Sequence, residues 1–287
     1  MIDLHFHSTF SDGSHSPEAL ADLGAAAGLT AMALTDHDTI AGVRRFLAAA
    51  ESHGIRCVPG VELSLDVPGS NVHMLAYGCD LEDAPLNAAL ARVRDGRHRR
   101  NVEILSKLSK LGCNITWPDV LACAGEAGVV GRPHFAQALI EKGYARSKHD
   151  AFSRLLGKGG PAYVERSRLG PEEAIALIRN AGGVAVLAHP TLCGLGSQAL
   201  EKFVGQLVQA GLGGIETYYT GHGPSEVREY ISLARTFDLV PTGGSDFHGA
   251  LSPNIELGVG YGSLAVPDAS FDALLERMAL NTDSRAT

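Results

Sequence analysis

Short apolar segments rich in β-forming residues alternate along the chain with longer Ala- and Leu-rich stretches of helical periodicity. This alternation is typical of βα units that build a parallel sheet, so it restricts the chain to an α/β fold. At 287 residues, the chain fits one large α/β barrel or one domain that carries an insertion. The candidate strands cover residues 2–7, 30–35, 56–58, 72–77, 184–188, 214–217, 240–242 and 257–261.

The strand signal disappears between about residue 83 and residue 160, where helical periodicity takes over. Candidate helices there cover residues 86–111, 118–124, 133–142 and 148–156. We interpret this stretch as a helical insertion into a discontinuous barrel. The predicted organisation is a barrel formed by residues 1–82 and 161–287, with residues 83–160 as a helical insertion that covers the active site.

Composition excludes several classes of protein. The formal net charge is −8, and no long Lys/Arg block is present, which argues against non-specific binding of duplex nucleic acid. The five cysteines are widely spaced without a C-x-x-C pair, so neither a disulfide framework nor a zinc ribbon is expected. No apolar run approaches the roughly 20 residues of a membrane span, and the first residues do not resemble a signal peptide. We therefore expect a cytoplasmic protein with reduced thiols.

Metal-capable side chains recur at the ends of the candidate strands. The strand period of two places His5 and His7 on one face of the first strand. Because the carboxyl ends of parallel barrel strands meet at one mouth, residues far apart in sequence are expected to surround one cavity. The further candidates at such ends are Asp12, His37, Glu62, His73, His189, Asp246 and His248.

These residue types indicate metal-assisted hydrolysis. Imidazole nitrogens and carboxylate oxygens suit Mn, Fe or Zn, and a carboxylate such as Glu62 can bridge two ions. Two adjacent dications supply a nucleophile from water near neutral pH and stabilise both oxygens of an in-line displacement at phosphorus. No G-x-S-x-G or Cys-centred motif supplies another nucleophile.

Four motifs together resemble the polymerase and histidinol phosphatase (PHP) family of amidohydrolase-like proteins, and the likeness covers most of the chain. They are Asp3-Leu4-His5-Phe6-His7-Ser8, Leu34-Thr35-Asp36-His37-Asp38-Thr39, Gly60-Val61-Glu62 and Gly244-Ser245-Asp246-Phe247-His248. The resemblance implies a distorted (β/α)7 TIM-like barrel and two or three divalent metal ions. Mn²⁺ is the expected ion, with Zn²⁺ or Fe²⁺ as alternatives. It also implies three ligand sets: His5, His7, Glu62 and Asp246; Glu62, His73 and His134; and Asp12, His37 and His248.

His134 comes from the resemblance alone, because the strand argument does not select it. Without the family, it would be taken for a surface histidine at the start of a helix. His189 is an additional imidazole at the same mouth, expected to contact phosphate or to support the metal ligands. The remaining histidines are expected to be surface or packing residues: His15, His53, His98, His149 and His222.

Within the family, the insertion, the Gly131-Arg132-Pro133-His134 motif and the Leu187-Ala188-His189-Pro190 motif look most like a nucleotide-acting subgroup. That subgroup is the bacterial 3′,5′-nucleotide bisphosphate phosphatases, which are also described as 5′-3′ exoribonucleases. The resemblance implies a nucleotide substrate such as adenosine 3′,5′-bisphosphate, with AMP and inorganic phosphate as products. Short single-stranded, 5′-phosphorylated RNA would be a second substrate. No duplex nucleic acid, membrane or protein partner is implied.

Anchoring a 5′-phosphate requires cations besides the metals. Arg132, Lys158 and Arg166 are the candidates for contacting the substrate, together with His189. An arginine cluster on the first insertion helix could also line the cleft, but a solvated helix face is the favoured interpretation, because its members fall on several sides of the helix: Arg92, Arg94, Arg97, Arg99 and Arg100.

The proton donor to the leaving oxygen stays open among Asp36, His189 and a metal-bound water. Two rival functions also remain. A phosphatase of small metabolites such as histidinol phosphate would share the metal core. A non-catalytic PHP module would be expected to have lost metal ligands, whereas here every expected ligand position is filled.

Overall fold

The computed structural model describes residues 1–124, 130–165 and 168–283. Strands and helices alternate outside the insertion, which confirms the α/β class. The strands of this described part are β1 (Ile2–Phe6), β2 (Ala31–Leu34), β3 (Arg56–Cys57), β4 (Gly60–Ser64), β5 (His73–Tyr77), β6 (Val184–Leu187), β7 (Gly214–Tyr219) and β8 (Val240–Gly244).

The described strands form two sheets. One has the order β1-β2-β3 and is parallel, and the other has the order β4-β5-β6-β7-β8. In the second sheet β5 runs antiparallel to both neighbours, so the expectation of a purely parallel sheet is wrong at this point. The reason is the short connection between β4 and β5, because a parallel crossover needs roughly a dozen residues or more.

The edges of the two sheets meet through single bridges rather than through a continuous ladder. Phe6 pairs with Phe247, and the amide of Asp246 donates to the carbonyl of His5 at 2.7 Å. At the other edge His37 pairs with Glu62, whose carbonyl accepts from the amide of Asp38 at 2.8 Å. Both seams therefore pass through residues that the sequence marks as candidate metal ligands or their immediate neighbours.

Two strand predictions need correction. Glu62 lies inside β4 rather than after a strand, because Gly60–Ser64 forms a buried strand that its polar residues conceal in the sequence. The strand begins at Gly60. A larger residue would not fit at this position, because a Cβ there would lie 2.6 Å from the carbonyl oxygen of Leu34. Residues 257–261 form a turn with one bridge, from Glu256 to Gly260, and not a strand.

The helices of the described residues surround the sheets, and between β5 and β6, in the stretch predicted to be an insertion, the described residues form helices and no strand. Those of the insertion pack around an apolar cluster of their own, which includes Ile104, Phe135 and Leu139. No helix in the described ranges combines the length and apolar character needed to cross a membrane. The helices are α1 (Pro17–Ala26), α2 (Val43–Ser52), α3 (Ala84–Lys110), α4 (Trp117–Ala122), α5 (Arg132–Glu141), α6 (Lys148–Ala151), α7 (Pro171–Asn180), α8 (Ser197–Ala210), α9 (Pro224–Thr236) and α10 (Asp268–Asp283), with a π-helical turn over Phe152–Leu156 after α6.

Substitution of Gly244 tests the seam between β8 and β1. A Cβ at Gly244 would lie 2.4 Å from the backbone nitrogen of His5, so the two strands would have to separate. We expect Gly244→Ala to lower the free energy of unfolding by about 1–3 kcal/mol, as overpacking does elsewhere. Chemical denaturation of the metal-free protein measures this change.

Gly205→Ala is the matched control, because Gly205 lies within α8 and its added Cβ would meet the Phe237 ring at an ordinary 3.5 Å. Alanine is favoured over glycine inside a helix by about 1 kcal/mol, so this variant should be unchanged or more stable. Equal destabilisation by both substitutions would contradict the close strand contact at Gly244.

Candidate metal centre

His5 and His7 point from β1 into a buried cluster of acids. The side chains of both are 0% exposed. His5 Nδ1 lies 2.9 Å from Glu216 Oε1, and because a carboxylate only accepts hydrogen bonds, Nδ1 carries the proton. His5 Nε2 is then the atom left to bind a cation in place of a proton, and it is directed at Glu62 and Asp246, each of which has an oxygen 3.4 Å away.

The first group of ligand atoms belongs to His5, His7, Glu62 and Asp246, whose donor atoms all lie within 4.8 Å of one another. His7 Nε2 lies 3.1 Å from Asp246 Oδ1 and 3.3 Å from Glu62 Oε2. The sequence and the family resemblance both selected these four residues, and the structure brings them together from β1, β4 and the end of β8.

Two more groups adjoin the first. One comprises His7, Asp12, His37 and His248, and the other comprises His37, Glu62 and His73. Glu62 uses both oxygens: Oε1 lies 2.7 Å from His73 Nδ1, while Oε2 lies 2.9 Å from His37 Nδ1. Glu62, His37 and His7 thus each belong to two groups, and the two oxygens of Glu62 give it the arrangement expected of a carboxylate placed between neighbouring ions.

Several buried atoms of these residues lack hydrogen-bond partners, which indicates that they bind cations. Buried polar atoms in proteins are normally hydrogen-bonded, so a set of buried atoms without such partners requires an explanation. Here the donor set is mixed imidazole and carboxylate, which suits divalent transition metals. The buried side-chain atoms without a hydrogen bond include His5 Nε2, His7 Nε2, Asp12 Oδ1, His37 Nδ1, Glu62 Oε2 and His134 Nε2.

The electrostatics keep the acids ionised. Burial alone would raise the pKa of the Glu62 carboxyl, but His37, His73 and His5 hold it well below its usual value. Burial opposes protonation of His5, yet Glu216 and the other carboxylates outweigh it and raise its pKa well above normal. Burial lowers the pKa of His73 to about 4, so this imidazole is neutral and available as a ligand.

Backbone strain concentrates at the same place. Among the described non-glycine residues, positive φ angles occur at Asp38 (56°), His189 (26°), Asp246 (55°) and Asp238 (52°). The first three lie in or beside the groups of ligand atoms. Such conformations cost energy, and they persist where surrounding contacts impose them, often at functional sites.

Glu216 and Tyr219 belong to the site although the sequence argument missed them. Glu216 is fully buried in β7 and accepts from His5 Nδ1 and from the backbone amide of His189 at 2.6 Å. The Tyr219 hydroxyl donates to Asp246 Oδ2 at 3.2 Å. A glutamate in the middle of an apolar strand was the available signal, because an isolated buried carboxylate is costly without a partner.

Three other predicted residues lie near the groups but outside them. Asp36 accepts three hydrogen bonds from Ser8 and Ser11, and these contacts fix the loop after β1. His189 Nε2 lies 3.0 Å from Glu62 Oε1, beside the His5 and His73 rings. His134 is buried at the start of α5, but among the described residues it joins none of the three groups, and His37 accompanies Glu62 and His73 instead.

The candidate phosphate-binding cations lie at the insertion. Arg132 contacts the Phe152 and Tyr163 rings and lines two adjoining cavities. Lys158 is exposed at the larger of them, which has a volume of about 430 Å³. The sequence argument missed Arg168, which lines both cavities. Arg166 lies outside the described residues.

The favoured interpretation of the arginine cluster of α3 as a solvated helix face is wrong for Arg97 and Arg100, which are 8% and 6% exposed and agree with the alternative that the cluster lines the cleft. Arg97 forms an ion pair with Asp38, and both arginines line the smaller cavity beside Asp12 and His37. Arg92 does lie at the surface, where it pairs with Glu173. The helix packs against the strand ends, a contact that the sequence periodicity of α3 does not reveal.

The remaining histidines have separate surroundings. His53 pairs with Asp22 at 2.8 Å, and His98 packs against Trp117. The others do not join the three groups either: His15 lies against Phe247, His149 is exposed, and His222 packs on Tyr219.

Substitution of Glu216 tests whether it supports His5 as a ligand. A glutamine keeps the shape but removes the charge that makes the imidazole basic, and loss of such supporting contacts costs about 10–100-fold in metal affinity. We expect Glu216→Gln to weaken Mn²⁺ binding by this factor in titration calorimetry. Glu201→Gln, at an exposed position of α8, is the control and should bind as the wild type does. Unchanged affinity in Glu216→Gln would refute the supporting role.

The chain is similar to known proteins along most of its length. The model of the PHP domain family matches residues 3–160. A 3′,5′-nucleoside bisphosphate phosphatase of Chromobacterium violaceum is 33% identical over 247 residues, 86% of this chain and 87% of that protein. A 5′-3′ exoribonuclease of Haemophilus influenzae is 35% identical over 246 residues, 86% of this chain and 89% of that protein.

Solved structures agree with this relationship. The structure of an amidohydrolase from Chromobacterium violaceum, with bound sulfate and no metal, matches with a TM-score of 0.85 at 30% identity and covers 96% of both chains. Together with the three groups of ligand atoms, these findings show that the chain belongs to the PHP domain family and is a metal-dependent phosphoesterase.

Proposed function

We propose that the protein hydrolyses the 3′-phosphate of nucleoside 3′,5′-bisphosphates, such as adenosine 3′,5′-bisphosphate, to give AMP and phosphate. Short 5′-phosphorylated oligoribonucleotides would be trimmed from the 5′ end by the same site. In both reactions the P–O3′ bond of a nucleotide with an anchored 5′-phosphate breaks. The relatives named for these two activities support this proposal.

The observation that carries the proposal is the pair of adjoining cavities beside the three groups of ligand atoms, which we call the metal groups. Both are lined by Asn71, Arg132, Phe152 and Arg168. The smaller cavity reaches Asp12, His37 and His73. A substrate could therefore place one phosphate at the metal groups and a second at the cations, which is the distribution of charge in a nucleoside 3′,5′-bisphosphate.

The residues at the larger cavity suit the rest of a nucleotide. Arginine binds phosphate oxygens bidentately and lysine attracts them as a point charge, roles that we assign at this cavity to Arg132 and Lys158. Arg166, outside the described residues, keeps the same proposed role. Phe152 and Tyr163 supply aromatic surface at the same cavity, on which a base can stack. The sulfate in the related amidohydrolase is in keeping with an anion site.

The proposed ligand sets follow the three groups. His5, His7, Glu62 and Asp246 would hold a first ion, and Asp12, His37 and His248 a second. A third would be held by Glu62 and His73, with His37 or, after a rotation of its side chain, His134. We propose Mn²⁺ as the native ion, with Zn²⁺ or Fe²⁺ as alternatives, because imidazole and carboxylate ligands suit all three.

When bound, adjacent divalent ions would supply a nucleophile from water and neutralise charge on the phosphoryl oxygens. The protein contributes orientation and proton transfer. Arg132 and Lys158 hold the 5′-phosphate, so that phosphorus lies over the metal groups with O3′ turned away from the attacking side. O3′ then leaves and takes up a proton.

We assign this proton transfer, or contact with the phosphate, to His189. Its ring lies among Glu62, His5 and His73, and its Nδ1 is buried without a hydrogen bond. Asp36, another of the three candidate donors, already accepts three hydrogen bonds from Ser8 and Ser11. Those contacts favour a role for Asp36 in positioning the loop that carries Asp12.

Substitution of Glu62 tests the sharing of ligands. Because Glu62 belongs to two of the three groups and Asp12 to one, Glu62→Gln should lose about two bound ions and Asp12→Asn at most one. Metal content after Mn²⁺ loading and gel filtration, measured by mass spectrometry, gives both numbers. Equal losses in the two variants would contradict the shared position of Glu62.

A substrate comparison with Mn²⁺-loaded protein tests the function. Adenosine 3′,5′-bisphosphate should be hydrolysed faster than 3′-AMP, which lacks the 5′-phosphate, by roughly 10–100-fold in kcat/KM, since hydrogen bonds to charged groups contribute about 1.5–3 kcal/mol each. Histidinol phosphate, the substrate of the rival function, should be poor. Comparable rates on all three, or on a simple aryl phosphate, would overturn the anchoring of the 5′-phosphate.

Arg132→Met should remove most of this preference, because it deletes a cation from both cavities. Arg92→Met is the matched control, since Arg92 lies at the surface in an ion pair with Glu173. The Arg92→Met variant should prefer adenosine 3′,5′-bisphosphate over 3′-AMP as strongly as the wild type does.

A further inference from the structure

Another cavity shares no lining residue with the two cavities described above. It has a volume of about 220 Å³ and is lined by residues that follow β7 and by the turn around Tyr261. Three tyrosines contribute to its wall: Tyr218, Tyr219 and Tyr261. No Asp, Glu, Lys or Arg is among its described lining residues, so it suits a planar, uncharged group rather than a phosphate.

Tyr219 connects this cavity to the metal groups. Its hydroxyl donates to Asp246 Oδ2 at 3.2 Å, and its ring packs against His189 at a centroid distance of 5.5 Å. The same ring lines the cavity, together with His222, whose ring is 5.0 Å away. Tyr219 therefore contacts the metal groups and also forms part of the wall of this cavity.

Tyr261 is presented at the edge of the cavity in an unusual way. Tyr261 is 65% exposed and is, with Leu280, the most exposed large hydrophobic residue among the described residues. It lies between Gly260 (φ 58°) and Gly262 (φ 96°), which form a tight turn. A Cβ at Gly260 would lie 2.5 Å from Thr220 Oγ1, and Thr220 in turn donates to the Ser245 carbonyl, so the turn is held against the site.

We propose that this cavity, defined by Tyr218, Tyr219, Tyr261 and His222, binds the base of the nucleotide that follows the scissile phosphate in an oligoribonucleotide. Aromatic side chains bind bases of single-stranded nucleic acids by stacking, largely independent of sequence. The inference rests on the proposed function, because it assigns the second nucleotide of the same substrate.

The chemistry requires such a position. When water attacks phosphorus and the P–O3′ bond breaks, O3′ of the first nucleotide takes up a proton and leaves. The phosphate remains on the 5′ oxygen of the second nucleotide, which must therefore lie beside the metal groups throughout the reaction. A nucleoside 3′,5′-bisphosphate has no second nucleotide and leaves this cavity unused. The cavity thus distinguishes the two substrates that share the rest of the site.

Tyr261→Ala tests this assignment with two substrates, adenosine 3′,5′-bisphosphate and 5′-phosphorylated diadenylate. We expect kcat/KM for the diadenylate to fall about tenfold, the effect of losing one stacked base, while that for the bisphosphate stays within about twofold. Tyr261→Phe keeps the ring and should retain wild-type turnover of both. A diadenylate without its second base should be hydrolysed equally by the wild type and Tyr261→Ala.

Binding to the metal-free protein provides a readout independent of catalysis. In titration calorimetry with a chelator present, Tyr261→Ala should bind the diadenylate about tenfold more weakly and AMP with unchanged affinity. An equal loss on both substrates, or no loss on the diadenylate, would overturn the assignment of the cavity. The assignment of the cavity would also be overturned if the wild-type protein hydrolysed the bisphosphate but not the diadenylate. Failure of the wild type on both substrates would instead refute the proposed function, and this inference with it.

Discussion

The structure depends on one buried charge, the carboxylate of Glu62. Its side chain is 1% exposed in the middle of a strand, and a carboxylate in that position is costly unless partners compensate it. Imidazoles from β1, β5 and the loops after β2 and β6 surround it, and they keep it ionised. Because Glu62 also pairs with His37 at the seam between the sheets, the same residue joins the fold and the site.

A repeated contact holds the strand ends around this charge. In each case a buried aspartate near one strand end accepts from both the amide and the hydroxyl of a serine on a neighbouring element. The pairs are Asp3 with Ser245, Asp36 with Ser8, and Asp38 with Ser64. They link β8 to β1, β1 to β2, and β2 to β4, so the positions of the ligand-bearing loops are fixed by hydrogen bonds. This accounts for how strained residues such as Asp38 and Asp246 are tolerated there.

The cavities around the metal groups differ in the charge of their lining residues. On one side, arginines, a lysine, two aromatic rings and acidic residues line the two cavities beside the metal groups. On the side of β7 and β8, the lining is tyrosine-rich and uncharged. The metal groups alone would suit many phosphate esters, and substrate choice in such a site depends on what surrounds it. In the proposals above, the charged side would bind the 5′-phosphate and base of the first nucleotide, and the uncharged side would bind the base of the second.

The sequence by itself determined the α/β class, most strands and the eight residues that the structure brings into the three groups of ligand atoms. These follow from local rules: the period of two puts His5 and His7 on one face, and strand ends carry function. Only the tertiary structure decided that β5 is antiparallel, that Glu62 lies inside a strand, and that Arg97, Glu216 and Tyr219 face the site. Those facts depend on which elements become neighbours, and the energy of a buried polar group is set by its partners in space rather than by its neighbours along the chain.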